Sequence, residues 1–256
     1  MIKYKTEQEI KLLKEAGKIH AQILKELSKK VKPGAKPSDF NSYAEKLIDE
    51  AGCTASFLGY TPDGVKDPYP ASLCVSVNEE IVHGIPSENK KVFKNGDIVT
   101  LDLGVTKEGM IVDGAVTLAV EDVDEAGLKL IRATGEALNA GIKAVKLGGH
   151  IGDIGAVIMK VAQKYGFSIA QGLSGHGVGF NVHEEPYVPN EAIAGDGPEI
   201  KLGLVIAIEP MLCEGAGSIK RLPDHYTYVT KDGKRSAHFE HTIAVTKNGV
   251  EVLTKL

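Results

Sequence analysis

The sequence predicts an α+β fold made of two related halves, about 1–122 and 123–256, that share an antiparallel sheet with helices on one face. Three observations predict it. Helix-like and strand-like segments recur in the same order twice along the chain. Parts of the two copies align residue by residue, and matched strands each carry an acidic residue inside an apolar run. The halves are expected to form one domain over 1–256 rather than two.

The first helix is expected to open on a capping box, Thr6 followed by Glu9. Ile10, Leu13, Ile23, Leu24 and Leu27 then recur at helical spacing until Pro33-Gly34. A second helix should start near Ser38, bury Phe40, Tyr43, Ala44, Leu47 and Ile48, and stop before Gly52. Strand signals follow at 72–78, 97–105 and 110–120. From about residue 124 the order begins again. Leu128, Ile131, Leu138, Ile142 and Val145 mark a long helix ending at Gly148-Gly149, and Ile154, Ile158, Val161 and Tyr165 a shorter one closed by Gly166. Strand-like segments at 202–210, 226–230 and 238–246 complete the copy.

At a constant offset of 114, Lys32, Gly34, Asp39, Lys46 and Gly52 meet Lys146, Gly148, Asp153, Lys160 and Gly166. At an offset of 107, KNGDIVTLD (94–102) meets KLGLVIAIE (201–209), which sets Asp102 opposite Glu209. Asp113 likewise finds Glu240 in the last strand of the second half.

Composition narrows the setting. The chain has 256 residues, 43% of them hydrophobic, and a formal charge of -4 without a long basic stripe, which argues against a nucleic-acid site. Its three cysteines, Cys53, Cys74 and Cys213, show no CxxC spacing. The charged N-terminus lacks the apolar stretch of a signal peptide, and no run is long enough to cross a membrane. A reducing, cytoplasmic setting is expected.

A carboxylate in the middle of an apolar strand carries the chemistry. Burying one ionised group alone costs several kcal/mol, roughly. An arginine could satisfy one such residue, but four related by the repeat need a large shared positive charge, and the chain has three arginines. Two divalent cations would balance Asp102, Asp113, Glu209 and Glu240, with His176 in SGHGVGFNVHEEP as a neutral nitrogen ligand. This mostly hard-oxygen set suits Mn, Fe, Co or Zn in five- or six-coordinate geometry. The competing reading is two unrelated buried salt bridges and a hydrogen-bonded core histidine.

The segments LDLGVTKEGMIVDGA, GLSGHGVGFNVHEEP, VIAIEPM and HFEHTIAVT resemble the metal-binding signatures of type I methionine aminopeptidases, and CVSVNEEIVHGIP resembles that family's substrate-histidine segment. The likeness runs over essentially the whole chain. It implies the duplicated pita-bread fold and a single catalytic aminopeptidase domain, which removes the initiator methionine of nascent proteins when the second residue is small. It also implies roles. Asp102 would hold one metal through both oxygens, Asp113 and Glu240 would bridge two metals, and His176 and Glu209 would complete one shell. A hydroxide shared by the metals would attack the peptide carbonyl. Glu209 would carry the proton to the leaving nitrogen, His183 would stabilise the oxyanion, and His83 would contact the scissile nitrogen. No role falls to His20, His150, His225, His238 or His241.

The resemblance further places the methionine pocket on Phe57, Tyr60, Tyr69, Cys74, Val182 and Tyr226. Tyr226 stands where the family often carries Trp, Val182 where an aromatic often precedes the second histidine, and the segment 61–70 is longer than usual. The resemblance implies that a large second residue, here Ile2, would keep Met1 in place. Transient ribosome association and a monomeric state are implied. Xaa-Pro peptidases usually carry a further N-terminal domain, and this chain starts at the catalytic repeat. A metal-free peptide-binding scaffold would lack competent ligands, and here all five positions are filled.

Overall fold

A computed structural model describes residues 1–62 and 64–255. Helix α1 (Glu7–Ser28) opens on the expected capping box. The Thr6 hydroxyl accepts from the Glu9 amide, and the Glu9 carboxylate accepts from the Thr6 amide at 2.7 Å. Two donors that the first turn would leave unpaired are thereby satisfied. Its apolar stripe packs on the strands Ile98–Lys107 and Met110–Ala119. Helix α2 (Pro37–Glu50) starts on a proline, whose missing N–H is harmless in a first turn. It buries Phe40, Ala44 and Ile48, while Tyr43 and Leu47 are only half-buried. Helix α3 (Glu125–Ala144) is capped by Asp124 and buries Leu130, Ala133, Ala137 and Leu138. Leu128, expected on that stripe, is exposed. Helix α4 (Ile151–Tyr165) ends at Gly166.

The repeat is visible in backbone dihedrals. Gly34 and Gly148 have φ of 86° and 79°, Gly52 and Gly166 have 66° and 76°, and Gly96 and Gly203 have 91° and 84°. A Cβ is strained in this left-handed region, so each aligned glycine holds the same turn in both halves.

Ile98–Lys107 is the spine of a four-stranded antiparallel sheet. Met110–Ala119 runs along one edge, and Leu73–Val77 and Thr54–Ala55 along the other. The second half forms a five-stranded sheet in the order Gly249–Val252, His241–Thr246, Val205–Ile208, Ser174–Gly177, Glu184–Pro189. The two join along a seam. Ala115 and Glu240 exchange backbone hydrogen bonds at 3.3 and 2.9 Å. On either side of this pair, a threonine hydroxyl bridges the strands. Thr242 Oγ1 accepts from Asp113 N–H and donates to Asp113 C=O, and Thr117 Oγ1 does the same for His238, all at 2.8 Å.

The sheet is less continuous than the sequence suggested. The strands expected over 202–210 and 238–246 are each interrupted, at Glu209-Pro210 and at Phe239-Glu240. Pro210 has no N–H to continue a ladder. Beyond the breaks, Met211–Cys213 and Ser236–His238 pair in a separate three-stranded sheet with Ser168–Ile169. Another three-stranded sheet joins Ile219–Arg221, Tyr228–Thr230 and Glu80–Val82.

Period-2 alternation sorts the chemistry from the core. Leu101, Leu103, Val105, Leu73 and Val75 point into the core beneath α1 and α2. Asp102 and Cys74, between them in sequence, therefore face away from the helices. Cys74 belongs instead to a smaller apolar cluster with Phe57, Tyr69, Ile85, Val182 and Tyr226.

Candidate functional site

Five acidic and histidine side chains predicted from sequence converge at the seam. Asp102, Asp113, His176, Glu209 and Glu240 are all buried and line one cavity of about 140 Å³. Asp102 and Asp113 sit on adjacent antiparallel strands, where Asp102 is registered with Cys74 on one side and Ala115 on the other. Asp113 Oδ1 accepts from the Gly114 amide at 2.9 Å. Glu209 and Glu240 come from the two strand breaks, and the Asn190 amide clamps the Glu209 carbonyl at 3.0 Å. His176 stands between Gly175 and Gly177. A Cβ at either glycine would run into the carbonyl of Ala207 or Glu185, so only glycine lets this strand lie so close to its neighbours.

The ligand-like features are physical. His176 Nδ1–H donates to the Gly177 carbonyl at 2.9 Å, which leaves Nε2 as the lone-pair nitrogen, 3.2 Å from Glu209 Oε1. Among the described residues, Asp102 Oδ1 and Glu240 Oε1 have no hydrogen-bond partner. Buried carboxylate oxygens are rarely left so, and a bound cation is the usual resolution. Donor atoms of Asp113, His176 and Glu240 lie within 4.8 Å of one another, and so do those of Glu209, His238 and Glu240. The site therefore fits a divalent cation, by its donor set and by its orphaned oxygens.

Electrostatics agree. Burial pushes Asp102 up to about 6, against the pull of the nearby His238 and His176. Burial and then the Asp102 charge push Asp113 well above the carboxylate range, and burial and then Asp113 do the same to Glu240. Burial would raise Glu209 too, but the His176 and His238 imidazoles outweigh it and hold its carboxyl at about 2. His176 is correspondingly raised by Glu209 against its own burial. Without a cation the four acids do not all ionise together, as expected for like charges at close range.

His183 and His83 line the same cavity. The His183 ring lies 4.3 Å from that of His176, and its Nδ1 is 2.7 Å from the Tyr60 hydroxyl. The enclosing walls, then His176 and His83, hold it below the ordinary histidine range, although one edge of the ring reaches solvent. His83 adopts a left-handed φ of 60°, uncommon outside glycine, at the end of the strand Glu80–Val82. Burial lowers it to about 4. The loop carrying Val182 and His183 is tied from outside. Buried Lys5 makes a 2.6 Å ion pair with Glu184, whose other oxygen accepts from the Phe180 and Asn181 amides at 2.7 and 2.8 Å.

Phe57, Tyr60, Tyr69, Cys74, Val182 and Tyr226 form the apolar wall beside the metal ligands. Tyr226 stacks edge-on against Tyr69 at 5.1 Å, and its hydroxyl donates to the Asp67 carbonyl at 2.6 Å. The segment 61–70, apart from Asp63, which lies outside the described residues, is thus fastened over the pocket by the hydroxyl that distinguishes Tyr from Trp.

Sequence reasoning missed one member. His238 lines the same cavity, with Nε2 at 3.5 Å from Glu209 Oε2 and 3.8 Å from Glu240 Oε2. The available signal was the H-x-E spacing of HFEHT, which directs two side chains to one face of an extended segment. His20 is a core residue whose Nε2–H reaches the Leu103 carbonyl at 2.7 Å, and His241 pairs with Thr254. Neither contributes to the cavity.

Carboxylates and imidazoles buried beside an apolar pocket, on a duplicated α+β frame, define a metal-dependent hydrolase. The chain belongs to metallopeptidase family M24, whose model matches residues 11–247. It is 41% identical to a methionine aminopeptidase of Aquifex aeolicus over 253 residues, covering 98% of each, and 40% identical to methionine aminopeptidase 1 of Bacillus subtilis over the full length of both. The crystal structure of a methionine aminopeptidase from Thermotoga maritima superposes with a TM-score of 0.95 at 41% identity, covering both chains completely. Prolidase from Pyrococcus furiosus shares the fold at a TM-score of 0.78 and 21% identity, this chain covering 65% of it. No helix among the described residues is long and apolar enough to cross a membrane.

Proposed function

We propose that this chain is a single catalytic unit that releases the N-terminal methionine of nascent polypeptides whose second residue is small. The observation that carries the reading is the convergence of Asp102, Asp113, His176, Glu209 and Glu240, from both halves, beside an apolar pocket. These five would hold two divalent cations, of Mn, Co, Fe or Zn, which supply Lewis-acid polarisation and an activated water when bound.

The remaining work falls to the protein. Tyr69, Cys74, Phe57, Val182 and Tyr226 enclose the methionine side chain, and the soft thiol of Cys74 suits a thioether. With Tyr60 O–H donating to His183 Nδ1 at 2.7 Å, the ring's single proton sits on Nε2 and is offered to the substrate carbonyl as charge develops there. Burial keeps His83 neutral, able to hydrogen-bond the scissile nitrogen. Glu209, ionised between two imidazoles, takes the proton of the attacking water and delivers it to the leaving amine. A monomer working in the cytoplasm, in passing contact with the ribosome, completes the reading.

The test is hydrolysis of Met-Ala-Ser, Met-Pro-Ser and Ala-Ala-Ser by metal-stripped protein, with and without Mn²⁺ or Co²⁺. The expected result is cation-dependent release of methionine from Met-Ala-Ser, and little from Met-Pro-Ser. Preference for the proline peptide would move the chain toward Xaa-Pro hydrolysis, and no turnover with any cation would refute an enzymatic role.

A further inference from the structure

We propose that His238 is a sixth protein ligand of the metal centre, its Nε2 binding a divalent cation together with Glu209 and Glu240. The inference rests on the metal-centre reading above and extends its ligand set.

His238 is 1% exposed, and among the described residues neither of its ring nitrogens has a hydrogen-bond partner. A buried imidazole without partners is costly and uncommon. The ring is held from behind by its backbone, since both its N–H and its C=O engage the Thr117 hydroxyl at 2.8 Å. The side chain is therefore aimed into the cavity by a fixed main chain. It lines that cavity beside acids whose own outer oxygens are unpartnered, Glu240 Oε1 among them.

Distances separate two accounts of this placement. At 3.5 Å from Glu209 Oε2 and 3.8 Å from Glu240 Oε2, Nε2 is too far for direct N–H···O bonds, which cluster at about 2.7–3.2 Å. Ligands of one cation stand farther apart. With bonds of about 2.1 Å, those two separations subtend about 115° and about 130°, ordinary angles in four- and five-coordinate sites. His176 Nε2 and Glu209 Oε1, at 3.2 Å, subtend about 100° by the same reasoning. Glu209 thus offers one oxygen toward each histidine. Glu240 belongs both to the cluster with His176 and Asp113 and to the cluster with His238 and Glu209. Two neighbouring positions, each with one imidazole and sharing both Glu209 and Glu240, account for these contacts.

The experiment counts imidazoles on the cation. Protein reloaded with Co²⁺ to saturation is measured by X-ray absorption fine structure, as the parent and as His238→Gln, with Co²⁺ affinity measured by competition against a chelator. The expected result is one imidazole per cobalt in the parent, two per chain over two cations, falling by half in the variant, with at least a tenfold loss of affinity at one position. A parental spectrum averaging half an imidazole per cobalt, the share of His176 alone, would overturn the proposal, and that spectrum decides the matter even if the variant fails to fold. An unchanged imidazole count per cobalt in folded His238→Gln, with two cobalts bound, would overturn it equally. Absence of stoichiometric Co²⁺ in the parent would instead defeat the metal-centre reading itself, so the two failures are distinguishable.

Discussion

The two halves place their acids by different means. In the first, Asp102 and Asp113 sit within unbroken ten-residue strands, registered residue by residue against their neighbours. In the second, Glu209 and Glu240 occupy gaps where the ladder stops and the chain passes from one sheet to another. Duplication preserved the positions of the acids but not the continuity of the strands. Regular strands fix an acid rigidly on one face, whereas a break lets the longer glutamate side chain turn across the seam. The consequence is a centre with one rigid wall and one wall built from short strands carrying His176 and His238 and a loop carrying His183.

The largest effect should come from the rigid wall. Asp113→Asn is expected to lower turnover by at least ~10³-fold, yet to raise the melting temperature of the chelated protein, because Asp113 already favours its neutral form there. Kinetics and calorimetry on one preparation would check both signs. On the loop-built wall, His183→Ala should reduce kcat by about 10²–10³-fold while cation content, read by atomic absorption, stays at the parental level. Retained kcat would remove the oxyanion role.

Lys5→Met probes what holds that wall in place. Breaking the buried pair with Glu184 should destabilise the protein by about 3 kcal/mol, and Lys5→Arg should recover part of the loss. If the clamp positions His183, kcat falls with KM little changed; a fall in stability alone would make Lys5 purely structural.

Chelation compares the walls through pH. Asp102, Asp113 and Glu240 have raised values in the fold, so the metal-free protein binds more protons than its unfolded chain above the ordinary carboxylate range. Its stability therefore falls as pH rises from about 4 through those raised values. Glu209, lowered to about 2, has the opposite sign, and its contribution is lost only as pH falls below about 4.5. A bound cation neutralises the first three. The melting temperature lost on stripping the metal should thus be larger at pH 8 than at pH 5, by on the order of 5 °C, and equal losses would count against a shared ionic centre. Smallest is the seam itself: Thr117→Val leaves the His238 backbone unsatisfied and should cost about 1–3 kcal/mol in urea unfolding.

Much of this was legible in the sequence because it rests on local rules. The capping box at Thr6 and the aligned glycines depend on the chain a few residues either way, and the acids of the first half stand out inside apolar runs. What escaped depends on contacts between distant segments. The interruption at Glu209-Pro210 has a local cue in the proline, but the separate three-stranded sheet that the chain enters beyond it is set by its partners. The strands Ser174–Gly177 and Glu184–Pro189 are glycine- and proline-rich, and exist because their neighbours supply the ladder. The Lys5–Glu184 pair joins residues 179 apart, and His238 looks like any strand histidine until Thr117 is seen to aim it.

The central claim is that acids from the two halves hold one shared centre, and a double-mutant cycle on cation affinity tests it most directly. Asp113→Asn and Glu240→Gln are measured singly and together by Mn²⁺ titration calorimetry. Each single change should weaken binding strongly, and the double change little more, since both remove ligands of the same centre. Fully additive losses would contradict a shared centre and leave two independent acidic sites in its place.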